Sequence, residues 1–279
     1  MNNTYTITPS WPLKSKHEFN KSIKNLEKLG FKILNKTFSA KVLSPRLKAQ
    51  EINKAFSNKN IDIILARRGG YSSMKALPFI DFKLIKNNPK IFAGFSDVST
   101  LLNSIFERTG IVTYHSPMVI NFEKPTPFTT KSFLNITKNF KNVNLFEGAP
   151  VRVFNNGKTS GTLKGGNLVT LTALNKTPWE VETKNSILFF EDVDEKIHQI
   201  DRYFTNWILA GKLNNIKGMI LGDFRGSKAQ DVYKIIKEQM KIDFPVVSCP
   251  YIGHVKNKIT LPVGAKVLLD TKRKLLKVL

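Results

Sequence analysis

One cysteine, Cys249, occurs in 279 residues. A lone thiol excludes a disulfide scaffold and any Cys-rich zinc or iron–sulfur site. Histidine is nearly as scarce. His17, His115, His198 and His254 form neither an HExxH pattern nor a paired spacing, so no metal cofactor is expected. Neither a Walker loop nor a G-x-G-x-x-G occurs, which leaves nucleotide phosphates without a cradle. No apolar run approaches the ~20 residues that cross a bilayer, so no membrane partner is expected. Residues 1–7 lack the apolar stretch of a secretory signal, and the expected location is the cytoplasm.

Acidic residues are also few, 21 Asp and Glu against 44 Lys and Arg, for a formal net charge of +23. Only eight of those cations are arginines (46, 67, 68, 108, 152, 202, 225 and 273), and the lysines are scattered. Nucleic-acid surfaces cluster their cations, preferably as Arg with interleaved aromatics, so no nucleic-acid partner is expected. The field favours anionic small substrates instead.

What is present is a core. The chain is 41% hydrophobic with 20 Phe, enough for one large domain or two smaller ones. Phe19, Ile23, Leu26 and Leu29 form a helical stripe ended by Gly30, and residues 31–34 read as a strand. Ser44-Pro45 opens a helix reaching about Phe56. Residues 61–66 and 90–95 are short apolar runs of the kind buried in parallel sheets. Val98, Leu101, Leu102, Ile105 and Phe106 form a second stripe, stopped by Gly110. This alternation predicts an α/β domain over 1–141 with a mainly parallel sheet flanked by helices. Gly148, Pro150, Asn155, Asn156 and Gly157 mark a linker over 142–158. Residues 159–279 then predict a smaller mixed α/β domain. Its strands fall at 187–190, 218–221, 246–248, 259–261 and 265–269, its helices at 195–213 and 228–241, and a hairpin at 270–273.

Several residues are candidates for chemistry. Ser96, in Gly94-Phe95-Ser96-Asp97, lies on a strand-to-helix turn that resembles a nucleophile elbow, with Val98 where a second glycine would stand. The competing reading is an ordinary helix N-cap. Arg68-Gly69-Gly70-Tyr71 follows a buried strand; its glycines suit either a close backbone approach to substrate or a plain turn. Glu191 ends an apolar strand, and His254 lies in a loop after another. In that order Ser96, Glu191 and His254 suit a nucleophile, an orienting acid and a general base. The acidic run from Glu191 to Glu195 suits a hard cation or, more simply, a helix start where acids favour the dipole.

Arg68-Gly69-Gly70-Tyr71, Gly94-Phe95-Ser96-Asp97, His115-Ser116-Pro117-Met118, Gly165-Gly166-Asn167-Leu168, Phe190-Glu191-Asp192-Val193, Ile200-Asp201-Arg202 and Gly253-His254 occur in the order and spacing of the LD-carboxypeptidase family. That family includes the murein tetrapeptide LD-carboxypeptidases and the microcin C immunity hydrolases. The resemblance spans nearly the whole chain. It implies a two-domain serine peptidase without cofactor, commonly a homodimer. Ser96 would be its nucleophile, His254 its base and Glu191 the orienter of that base. The backbone amides of Gly70 and Asp97 would form the oxyanion hole. The implied reaction releases terminal D-alanine from muropeptide tetrapeptides during peptidoglycan recycling. One alternative is a microcin C-like peptidyl-nucleotide hydrolase conferring immunity, for which Trp179 is a candidate nucleobase platform. An alternative of another class is a non-catalytic basic binding module. Ser72, Ser116 and Lys176 stand where the family tends to have glycine.

Overall fold

The computed structural model describes residues 2–137, 140 and 143–279. Its strands are β1 Asn2–Ile7, β2 Phe31–Ile33, β3 Ile63–Ala66, β4 Ile91–Gly94, β5 Thr113–His115, β6 Arg152–Asn155, β7 Lys158–Asn167, β8 Ser186–Asp192, β9 Gly218–Phe224, β10 Val246–Ser248, β11 Leu261–Val263, β12 Lys266–Asp270 and β13 Leu275–Val278. The α-helices are α1 Lys16–Lys28, α2 Pro45–Ser57, α3 Phe82–Asn87, α4 Ser99–Thr109, α5 Pro127–Leu134, α6 Leu168–Thr172, α7 Ile197–Leu209 and α8 Ala229–Gln239. No helix among the described residues is long and apolar enough to cross a membrane.

Two sheets organise these elements. The first runs β2-β1-β3-β4-β5-β11, parallel throughout except for the antiparallel edge strand β11. Pro262 sits in that edge strand, where a missing N–H costs least. The second runs β13-β12-β7-β8-β9-β10-β6, with β7 to β10 parallel and antiparallel strands outside them. Every residue of β3 and β8 is buried, as expected of parallel strands covered on both faces. The architecture is therefore the expected helix-flanked α/β unit plus a mixed unit. The second sheet nevertheless holds more strands than the first.

Local signals account for the helices. Ser15 caps α1, accepting the Glu18 amide at 3.2 Å, and Ser44 caps α2 with Pro45 at its first position. Gly110 closes α4 in the left-handed region at φ 76°. The acidic run does not serve α7 as expected: Glu191 and Asp192 belong to β8, and the first turn of α7 contains no acid. The segment read as a linker also holds more structure than its turn residues suggest. Arg152–Asn155 is β6, paired antiparallel with β10 in the second sheet. Its Asn-Asn-Gly neighbours disguise a strand only four residues long. Lys141 and Asn142, at the expected end of the first unit and start of the linker, lie outside the described residues. β11, from the C-terminal part of the chain, completes the first sheet rather than the second.

Helix α4 joins the two units. Asn103 pairs with the backbone of Gly165, donating to its carbonyl at 2.9 Å and accepting its amide at 3.2 Å. Ser99 Oγ accepts the Asn167 amide at 3.1 Å. A Cβ on Gly165 would fall on the Phe189 carbonyl, and one on Gly166 would fall on Ser99 Oγ. Both glycines also take positive φ, 138° and 143°, so the Gly-Gly-Asn motif is what lets helix and strand touch. Gly166→Ala is expected to cost more than about 2 kcal/mol of stability, measured by urea unfolding, because the new methyl meets backbone strain and a packed helix together.

Candidate active site

The candidate residues converge where parallel strands end. Arg68-Gly69-Gly70 follows β3, Ser96 follows β4, Glu191 lies at the end of β8, and His254 sits in the loop after β10. Ligand sites of open α/β sheets occupy this carboxyl edge.

Ser96 adopts φ 64°, a left-handed conformation rare for a residue with a side chain and worth roughly 1 kcal/mol of strain. Its hydroxyl caps neither the 3-10 turn Ser96–Val98 nor α4, so the N-cap reading fails. Instead Ser96 Oγ lies 3.0 Å from His254 Nε2, and His254 Nδ1 lies 2.8 Å from Glu191 Oε2. A carboxylate only accepts, so Nδ1 carries the imidazole proton and Nε2 is left to accept from Ser96. Glu191 is fully buried. Burial opposes its charge, but the hydrogen bond from His254, with help from the nearby Lys258 ammonium, holds the carboxyl below its ordinary range.

Glycines allow this crowding. A Cβ on Gly253 would sit 2.9 Å from Glu191 Oε2, and one on Gly222 would sit 3.0 Å from Glu191 Cβ. A Cβ on Gly69 would sit 3.0 Å from Ser96 Cβ, and Gly70, at φ 130°, has the Trp11 ring against it. Among the described residues, neither the Gly70 nor the Asp97 amide donates a hydrogen bond within the protein. The Asp97 carboxylate ties neighbouring loops together, accepting from Ser10 Oγ at 2.5 Å and the Ser73 amide at 2.9 Å. That role carries no sequence signal beyond the motif itself.

Two of the glycine departures keep the glycine conformation. Ser72 takes φ 84° and accepts Lys48 Nζ at 2.6 Å, while Lys176 takes φ 63° with its amide on Glu180. Asp192 is committed to protein donors, the Asn167 side chain and the amides of Val169 and Val193. Burial, reinforced by Glu191, raises it to about 7. Trp179 does not border the cleft at Ser96. It lines a separate pocket with Leu77, Ile80 and Phe82.

The cleft above Ser96 and His254 has a volume of about 600 Å³. Arg68, Lys124, Arg225, Lys256 and Lys258 line it, against Asp194 as its acid. The arrangement is therefore able to pass a proton from a serine hydroxyl to an imidazole beneath an anion-attracting cleft.

Family models for the LD-carboxypeptidase N-terminal and C-terminal domains match residues 5–116 and 160–269. The chain belongs to the LD-carboxypeptidase family. Membership in this serine-type family makes it a hydrolase. It is 32% identical over 234 residues to a Bacillus subtilis protein named "Probable murein peptide carboxypeptidase", covering 80% of this chain and 73% of the relative. It is 30% identical to the microcin C7 self-immunity protein MccF of Escherichia coli, covering 93% of this chain and 87% of that one. The crystal structure of an MccF-like protein from Bacillus anthracis superimposes with a TM-score of 0.90 at 26% identity, covering 100% of this chain and 96% of that chain.

Beside the Ser–His–Glu chain of this LD-carboxypeptidase family member lies a second histidine, one the sequence offers only as part of a motif. His115 is buried between Phe95 and Phe189, and neither ring nitrogen has a hydrogen-bond partner among the described residues. Burial lowers it to about 4, with Glu191 pulling the other way. The folded state thus leaves His115 neutral at pH values where the unfolded chain protonates it. Stability tied to this group is present above the ordinary histidine range and is lost as pH falls toward 4, by roughly 3 kcal/mol in all. Urea unfolding between pH 7 and 4 is expected to show a flatter pH dependence for His115→Gln than for the wild type.

Proposed function

We propose that the protein is a serine-type LD-carboxypeptidase that releases terminal D-alanine from muropeptide tetrapeptides in peptidoglycan recycling. The observation that carries this reading is the continuous Ser96–His254–Glu191 hydrogen-bond chain, 3.0 and 2.8 Å, opening onto a cationic cleft. The murein peptide named in the B. subtilis relative supports the substrate class.

In this mechanism Ser96 Oγ bonds to the carbonyl carbon of the third residue while its proton passes to His254 Nε2. Glu191 holds the imidazole in position and stabilises its positive charge. The oxyanion accepts from the amides of Gly70 and Asp97. Collapse breaks the C–N bond, and the proton on Nε2 moves to the departing amine of D-alanine. Water then attacks the acyl-serine, loses its proton to His254, and Ser96 leaves with that proton restored.

The domain division at 1–141 and 159–279, amended by β6, which joins the second sheet, and β11, which joins the first, belongs to the same proposal. So do a homodimer and a cytoplasmic site of action, which rest on the family resemblance. A second reading, hydrolysis of peptidyl-nucleotides, is favoured by the likeness to MccF over 93% of the chain. It lacks the aromatic platform expected at Trp179, which lies in a separate pocket.

Mass spectrometry of a muropeptide tetrapeptide is expected to show loss of one alanine with wild-type enzyme. Ser96→Ala and His254→Ala are each expected to lower turnover at least about 10³-fold, with unfolding of Ser96→Ala shifted by less than about 1 kcal/mol. Wild-type turnover by Ser96→Ala would falsify the assigned nucleophile. Cleavage of a peptidyl-nucleotide but not the tetrapeptide would replace the first reading with the second.

A further inference from the structure

Lys258 is buried at 8% exposure yet borders the cleft. Its ammonium donates to the Gly253 carbonyl at 2.9 Å and stands 4.6 Å over the Phe95 ring. Among the described residues it forms no ion pair, although Glu191 and Asp223 lie near enough to favour its charge. The backbone around it is fixed, because the Lys258 amide donates to Thr129 Oγ1 at 2.9 Å and that hydroxyl donates to the Lys256 carbonyl. Burial lowers the ammonium to about 8, so it remains largely protonated at neutral pH. Among the described residues this buried cation has one carbonyl acceptor for its three protons, so it is incompletely compensated, and an anion in the cleft would supply what is missing.

Direction decides which anion. The inference rests on the peptidase reading, in which His254 Nε2 must deliver its proton to the leaving amine. The departing residue therefore lies on the imidazole side of Ser96, and in a carboxypeptidase substrate its carboxylate is one carbon from that amine. Two anchored cations belong to this side. Lys258 is bonded to the carbonyl just before His254, and Arg225 Nη2 is bonded to the His254 carbonyl itself at 2.7 Å. Arg68 belongs elsewhere, bonded to the Pro12 carbonyl and stacked over Trp11. We propose that Lys258, assisted by Arg225, is the subsite for the terminal carboxylate of the substrate, and that this pair makes the protein an exopeptidase. An internal peptide bond places a neutral amide at that point, which leaves the ammonium unpaired.

The test pairs a charge on the enzyme with a charge on the substrate. Steady-state kinetics compare a tetrapeptide ending in free D-alanine with the same peptide ending in D-alaninamide. Wild type is expected to favour the free acid by about 30-fold or more in kcat/KM, the range of a buried charged hydrogen bond. Lys258→Met is expected to lose most of that preference, through the acid substrate alone, while Lys258→Arg keeps part of it. Arg225→Gln, at an exposed position, is expected to reduce the preference about threefold to tenfold, and serves if Lys258→Met does not fold. A merely structural lysine would lower both substrates together. An acid-to-amide ratio in Lys258→Met equal to that of the wild type, or in Arg225→Gln if that variant stands alone, overturns the assignment. Wild type that cleaves neither peptide overturns the peptidase reading itself, a separate and recognisable failure.

Discussion

The contact between α4 and the two glycines of β7 is the constraint on which the site depends. Ser96 stands at the end of a strand in one sheet, and Glu191 at the end of a strand in the other. Neither sheet by itself assembles the hydrogen-bond chain. Asn103 and Ser99 reach backbone atoms of Gly165 and Asn167, and that register also sets the separation of β4 and β8. Interiors are packed too closely to absorb an extra methyl there without a shift at the serine.

Electrostatics impose the second constraint. A fully buried carboxylate, two histidines and a buried lysine share one small region, and each is stabilised or opposed by the others. His254 compensates Glu191 directly. His115 avoids the cost of charge by remaining neutral, and Lys258 keeps its proton at the expense of an unshared cation. In the proposed reading, the charge of a ligand completes this cluster.

Much of this was legible in the sequence, though unevenly. Strand ends followed by glycine or by a helical stripe marked the positions of Gly70 and Ser96, because buried parallel strands and helix starts leave local patterns. Glu191 and His254 were legible as strand-end and loop residues, but their meeting depends on topology that no short window contains. β1 and β5 alternate or are too brief to stand out, and β6 is hidden among turn residues. Lys258 and Arg225 carry no local signal at all, since in a chain of net charge +23 one more cation is unremarked until burial distinguishes it. The Asp97 carboxylate was equally silent, because its partners Ser10 and Ser73 come from loops remote in sequence.

The edge strand β11 has a consequence for the birth of the protein. It pairs Leu261 with His115, so the first sheet lacks its outer strand until synthesis has passed β11. A ribosome-bound N-terminal half therefore holds the serine without its finished sheet, its histidine or its glutamate. Under the proposed mechanism the growing chain is chemically silent until Glu191, His254 and β11 have been added, so a fragment interrupted before them carries the serine without its chemistry. Pairing across so long a stretch of sequence also places closure of the site among the slow, late events of folding.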